Sequence, residues 1–187
     1  MIEEARLEQT EGGLQPVTPG WFVVNVRDSA WIRNDAFGAG TVFEGRVEGK
    51  EAFFPEYGIN IQVVWPGQPN CMYHWEQAQE NILVLSGECV LLVEGQERLL
   101  NAWDFVHLPP GTAHVVVGAG DGPCAFLMTG TRKAEEEILY PADPVAQKHN
   151  AGVEADTPEP REAYANSPRT RSEPLPPDAG LPWQTGP

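Results

Sequence analysis

Four side chains able to bind a metal stand in two short segments of this chain. The first segment reads His74-x-Glu76-x3-Glu80-x6-Gly87, and the second reads Pro109-x-Gly111-x2-His114. Imidazole and carboxylate donors together suit one divalent ion such as Zn, Mn, Fe or Ni better than a soft, thiolate-seeking metal. In an extended strand the side chains at i and i+2 share a face, so His74 and Glu76 point the same way, and Glu80 keeps that parity if no bulge intervenes. His114 comes from a separate hairpin and is expected to close the site. Carboxylates on an inward face need a cation or hydrogen-bond donors, which favours a metal over a chance cluster. Should Glu76 turn to solvent, His74, Glu80 and His114 still form a two-histidine, one-carboxylate set. The alternative is a barrel whose polar residues only bond to one another.

These residues need a rigid wall, and the surrounding sequence predicts one made of strands. Ile59-x-Ile61-x-Val63-x-Trp65 alternates and ends at Pro66-Gly67. Short strands are predicted next at 82–85, 90–93, 97–100, 105–108, 114–117 and 125–128, with turn signals at Ser86-Gly87, Glu94-Gly95, Pro109-Pro110-Gly111 and 118–123. Short strands at this spacing predict an all-β sandwich or barrel. Upstream, Trp21–Val26 reads as a strand, and 27–50 reads as loop with one short pairing near Thr41–Glu44. Residues 1–20 read as an irregular N-terminal arm, 21–133 as the barrel, and 134–187 as a Pro-rich tail. Ten of the chain's eighteen prolines lie in 141–187, so the tail differs in kind from the barrel.

Two short helices are predicted in that tail. Asp143-Pro144 supplies a cap and a proline at the first helical position, with Gly152 as the stop. Thr157-Pro158 repeats the device before Glu162-Ala163-Tyr164. Residues 166–187 read as extended or disordered, although Leu175, Leu181 and Trp183 can dock on an apolar surface. Such a surface is expected, because the runs at 82–85 and 90–93 are apolar on both faces. Tyr73 and Trp75, whose parity is opposite to that of His74 and Glu76, also need a cover. The arm, the tail and a second subunit are the candidates, and a homodimer is expected on this ground.

Three smaller features complete the reading. His107 is expected to face the outer sheet, with a place beside the metal as the alternative. Asp104 is expected to cap its turn. Asn60 and Gln62 lie opposite the row Ile59, Ile61, Val63, and either line a cavity or meet solvent.

Bulk properties narrow the partners. The 187 residues suffice for one substantial core. Twelve bases against 27 acids leave a net charge of −15, which argues against nucleic acid and anionic membranes. No apolar run is long enough to span a bilayer, and the acidic start is unlike a secretory signal, so a cytoplasmic protein is expected. Cys71, Cys89 and Cys124 form no C-x-x-C pair and indicate neither a zinc knuckle nor a disulfide framework.

The segment from Pro66-Gly67 to Gly87 resembles the first cupin motif, G-x5-H-x-H-x3,4-E-x6-G, and Asp104–His114 (DFVHLPPGTAH) resembles the second. Glu76 stands at the second histidine position, one extra residue separates Gly67 from His74, and Gly118 stands where an asparagine is common. The phrases YHWEQAQENILVLSGEC and ILYPADPVAQKHNAGVE also resemble small bacterial single-domain cupins of unassigned activity. The resemblance implies a double-stranded β-helix, a jelly-roll barrel with one metal on its inner wall. It implies for function a metal-binding protein holding a small oxygen-rich ligand, a carboxylate or a sugar. A metal-dependent enzyme of dioxygenase, isomerase or lyase type is the second expectation, and a structural or interaction module with a stabilising metal is the third.

Overall fold

Nine strands make the barrel. They are β1 (Ala30–Asn34), β2 (Gly38–Val42), β3 (Tyr57–Val64), β4 (Glu80–Ser86), β5 (Glu88–Val93), β6 (Gln96–Asn101), β7 (Phe105–Leu108), β8 (His114–Ala119) and β9 (Cys124–Thr131). The computed structural model describes all residues except 48–49, 53, 133–136, 178 and 185–187. The step from barrel to tail read at 133/134 therefore lies outside the described residues.

The strands pair antiparallel in two facing sheets. The larger runs β7-β4-β9-β3-β2-β1, with Arg171–Ser172 of the tail added at the β1 edge, and the smaller runs β6-β5-β8. Parity divides each strand between two environments. Val64, Ile82, Val84, Leu108 and Phe126 from the larger sheet meet Cys89, Leu91 and Val116 from the smaller, and this cluster is the barrel interior. The alternate residues face outward and are buried as well. Val115, Val117, Leu92 and Tyr73 lie under Ala146 and Ala151. Ile61, Val63 and Ala125 lie with Trp31 under Leu181, with Leu175 and Trp183 packed beside them. This two-layer, mostly β architecture is the cupin double-stranded β-helix.

The cover expected over the outer faces is thus supplied by the chain's own tail. Helix α1 (Pro144–Lys148) is capped by Asp143, which accepts from the backbone of both Val145 and Ala146 at 2.8 Å. The helix ends at Lys148 with His149 as its C-cap, and Asn150 just beyond takes the left-handed conformation with φ 57°, so the stop comes before Gly152. Helix α2 (Pro160–Ala163) begins after the proline at 158, because Pro160 takes the first helical position. Thr157 still contributes, accepting from the Glu159 backbone at 3.1 Å. Farther on, Leu181 is fully buried and Trp183 stacks on Trp31 with ring centroids 6.0 Å apart.

Two upstream expectations need correction. Trp21–Val26 is not a strand: Trp21 makes a single bridge to Glu4, and Asn25 turns the chain by accepting from Arg27 at 2.9 Å. The β1 edge it would need is occupied by Arg171–Ser172. In the segment read as loop, β1 and β2 form a five-residue-pair hairpin. Its turn is set by Asn34, which accepts from the backbone of Ala36 at 2.9 Å. The N-terminal arm carries its own short hairpin, Leu7–Gln9 against Leu14–Pro16, and leans on β1 through Trp31 N–H to Gly12 O at 3.0 Å.

One turn is tight enough to test. Gly87, between β4 and β5, has φ +76°, and a Cβ there would stand 2.4 Å from Pro123 O and 2.9 Å from Cys124 Cα. Both neighbours are backbone, so Gly87→Ala combines conformational strain with a clash. We expect a loss of about 2–4 kcal/mol in urea denaturation. An unchanged midpoint would mean that the β4–β5 turn relaxes freely.

Candidate metal centre

His74 and His114 are placed opposite one another by backbone pairing. His114 N–H donates to His74 O at 2.9 Å and His74 N–H donates to His114 O at 3.2 Å, so their side chains leave the same side. On β8, His114 shares its face with Val116 of the interior cluster. On β4, Glu80 shares its face with Ile82 and Val84. The two imidazole centroids are 5.4 Å apart.

The tautomers follow from the nearest carbonyls. His74 Nδ1 lies 2.8 Å from Met72 O, and His114 Nδ1 lies 3.0 Å from Thr112 O. A carbonyl only accepts, so each Nδ1 carries a proton and each neutral ring presents its Nε2 lone pair to the barrel. His114 Nε2 is 3.2 Å from Glu80 Oε2, an ion-pair distance, yet the contact lacks hydrogen-bond geometry. Among the described residues, His114 Nε2 is the buried side-chain nitrogen or oxygen left without a hydrogen-bond partner.

The charges of the three groups are interlocked. Burial, and then the neighbouring His114 charge, hold His74 below the ordinary imidazole range. Burial alone would also lower His114, but the Glu80 carboxylate outweighs it and Glu76 adds to the pull, so His114 stands above that range. Burial alone would raise Glu80, and the two histidines outweigh it, holding its carboxyl below the usual value.

Glu76 ends up at the same site by a different route from the one expected. The chain leaves the extended conformation between Glu76 and Glu80, so strand parity does not connect them. Trp75–Glu76 pairs instead with Ile138–Leu139, and the Glu76 carbonyl accepts from Gly111 N–H at 2.8 Å. Glu76 and Glu80 line one cleft of about 380 Å³, together with Asn60, Gln62 and Met128. Among the described residues, no group of three or more His, Cys, Asp or Glu side chains is drawn together as a formed metal centre.

The remaining sequence candidates are separated cleanly. His107 faces outward, with Nδ1 2.9 Å from Asn81 Oδ1. Asp104 caps its turn by accepting from Asn101 N–H at 2.8 Å. Cys71 lies 3.8 Å from His74 Nδ1, but burial and then the Glu80 and Glu76 charges push its thiol upward, so it stays protonated. Two site residues escaped the sequence reading. Tyr140 of the tail lies over His74 with ring centroids 5.7 Å apart, and burial first, then Cys71 and Glu76, push its phenol up to about 12. Asn70 braces the loop after β3, accepting from Val116 N–H at 2.9 Å and donating to Gln62 Oε1 at 3.0 Å. The only local signal for Asn70 was an amide just after Pro69.

The chain thus folds as a two-sheet jelly roll with two facing histidines on its inner side. Residues 60–130 match the family model described as "Cupin domain". Among solved structures, a proposed sugar phosphate isomerase from Acidithiobacillus ferrooxidans is similar at 27% identity, covering 44% of this chain and 55% of that one, TM-score 0.43. A sugar phosphate isomerase from a cupin superfamily of Silicibacter pomeroyi is similar at 26% identity, covering 48% and 64%, TM-score 0.44. An uncharacterised double-stranded β-helix protein from Klebsiella pneumoniae is similar at 23% identity, covering 46% and 76%, TM-score 0.42. The likeness spans less than two thirds of the first two of these chains. No curated protein matches the sequence. No helix among the described residues is long and apolar enough to cross a membrane.

Proposed function

We propose that this barrel binds one divalent metal ion and holds a small oxygen-rich molecule on it. The observation that carries the reading is the buried Nε2 of His114, which makes no hydrogen bond and stands 3.2 Å from Glu80 Oε2, beside a second imidazole of the same tautomer. Burying a polar atom unpaired costs about 1–3 kcal/mol, and an ion would offset that cost. His74 and His114 would supply Nε2, Glu80 a carboxylate oxygen, and Glu76 the fourth protein donor. Two neutral imidazoles with carboxylates suit Zn, Mn, Fe or Ni. The Nδ1 bonds to Met72 O and Thr112 O hold both rings in orientation, as outer partners of metal-bound histidines do. When bound, such an ion polarises an oxygen of the molecule it holds. Tyr140 closes the His74 side against water. The cleft beside Glu76 and Glu80 admits the small molecule.

Chelator-stripped protein titrated with Zn, Mn, Ni or Fe(II) should take up one equivalent and release a proton. The sign follows from His114, which stands above its ordinary value and must lose its proton before Nε2 can donate. Apparent affinity therefore falls about tenfold per pH unit below that raised value and levels off above it. His74 stands below the range and is already neutral there. A protein that takes up none of these metals would overturn the reading.

A further inference from the structure

A second cleft, of about 450 Å³, adjoins the first, and much of its wall lies outside the cupin domain. The two clefts meet at Thr41, Asn60 and Gln62, so a molecule held at Glu76 and Glu80 extends naturally into the second. Its far side is the tail. Asn34 Nδ2 donates to Pro168 O at 2.8 Å and to Thr170 Oγ1 at 3.2 Å, fixing that wall against the β1–β2 turn.

The lining is made of groups that both donate and accept. Gln62 Nε2 donates to Asn60 Oδ1 at 3.4 Å, and Gln62 Oε1 accepts from Asn70 Nδ2 at 3.0 Å. A hydroxyl needs one donor and one acceptor, and carboxamides offer both at fixed geometry. The Asn60 amide nitrogen has no hydrogen-bond partner among the described residues, so it is available to a ligand oxygen. Phe37 and Tyr164, in edge contact at 5.3 Å, add an apolar surface for C–H groups.

The charges select against anions. The arginines at the two clefts carry carboxylate partners already: Arg33 with Glu173 at 2.9 Å and Arg132 with Glu44 at 2.7 Å. Glu44, Glu76 and Glu80 line the first cleft, and the two glutamates at the centre balance a divalent ion. A phosphate or carboxylate entering there would meet acids and ion-paired guanidiniums, at a net protein charge of −15.

We infer that the joined clefts take a neutral, polyhydroxylated molecule, a free sugar or polyol, with its hydroxyls on Asn60, Gln62 and the tail wall. This inference rests on the metal reading proposed above and narrows its ligand. The test is calorimetric titration of the metal-loaded full chain with D-ribose and D-fructose, and with ribose 5-phosphate and fructose 6-phosphate. At least one free sugar should bind, and its phosphate should bind at least tenfold more weakly. Gln62→Leu should weaken sugar binding at least tenfold while retaining metal, and so should Ser167→Trp, which fills the second cleft from the tail. A loaded protein that prefers the phosphates, binds none of the sugars, or is indifferent to both substitutions would overturn the inference and leave the metal centre standing. An unsubstituted protein that loads no metal would overturn both.

Discussion

His114→Ala should abolish the metal binding proposed for this barrel. The substitution removes one donor from a set of at most four, and even changes to residues behind metal ligands cost about 10–100-fold in affinity. A loss of more than about 100-fold is therefore expected, read as metal content after dialysis and by competition with a chelator. The fold should survive, because the deleted atoms include the buried nitrogen that lacks a partner. Glu80→Ala should act almost as strongly, since its carboxylate faces His114 Nε2 at 3.2 Å. Glu76→Ala should act less, because Glu76 reaches the site from a bent segment rather than from the β4 wall. His107→Ala is the control: its ring faces Asn81 on the outer side and should leave metal content unchanged. Full occupancy in the His114 variant would remove the assignment.

Deleting residues 137–187 should leave a chain that does not fold to a soluble barrel. The tail contributes to three apolar clusters at once. Ala146 and Ala151 cover Tyr73 and β8, Leu181 covers Trp31 and β3, and Tyr140 and Ala163 cover Met72. Removing it would expose two outer sheet faces, together far more than a soluble surface tolerates. A finer probe keeps the argument quantitative. Leu181 is fully buried, so Leu181→Ala should cost about 2–5 kcal/mol and lower the melting temperature by several degrees. A truncated chain that melts where the full chain does would show that the barrel needs no cover, and the tail would then be an appendage.

The tail also changes how the apolar outer strands are understood. Their composition left the arm, the tail and a second subunit as candidate covers, and Ala146, Ala151 and Leu181 of the tail lie on those faces. Tyr73 illustrates the point, since its backbone N–H donates to Ala151 O at 2.7 Å.

Much of the barrel was legible because strand alternation is a local property. Ile82 and Val84 share one face and Leu83 and Leu85 the other whatever the rest of the chain does. The turn residues at Gly87, Gly95 and Gly111 mark the strand ends for the same reason, each having a positive φ in the structure. The motif spacing brought out His74, Glu76, Glu80 and His114 together. Where local signals were weak the reading failed. An apolar run at 21–26 has the composition of a strand but no edge to pair with, and the β1–β2 hairpin was hidden by its short strands and glycines.

Tertiary structure decided what alternation leaves open, namely which face of a strand points inward and what lies against it. On β3 the apolar residues Ile61 and Val63 face outward beneath the tail, and the amides Asn60 and Gln62 face the cleft. A period of two separates these rows but cannot rank them, because both are enclosed. Tyr140 over His74, and Asn34 clipped to Pro168, join residues far apart along the chain through packing alone. From residue 57 onward the amino-acid sequence by itself determined most of the barrel strands and the facing of residues within each strand, and it supplied the set of polar side chains available to a metal. Packing between distant segments determined which of those faces was enclosed and which lined a cleft.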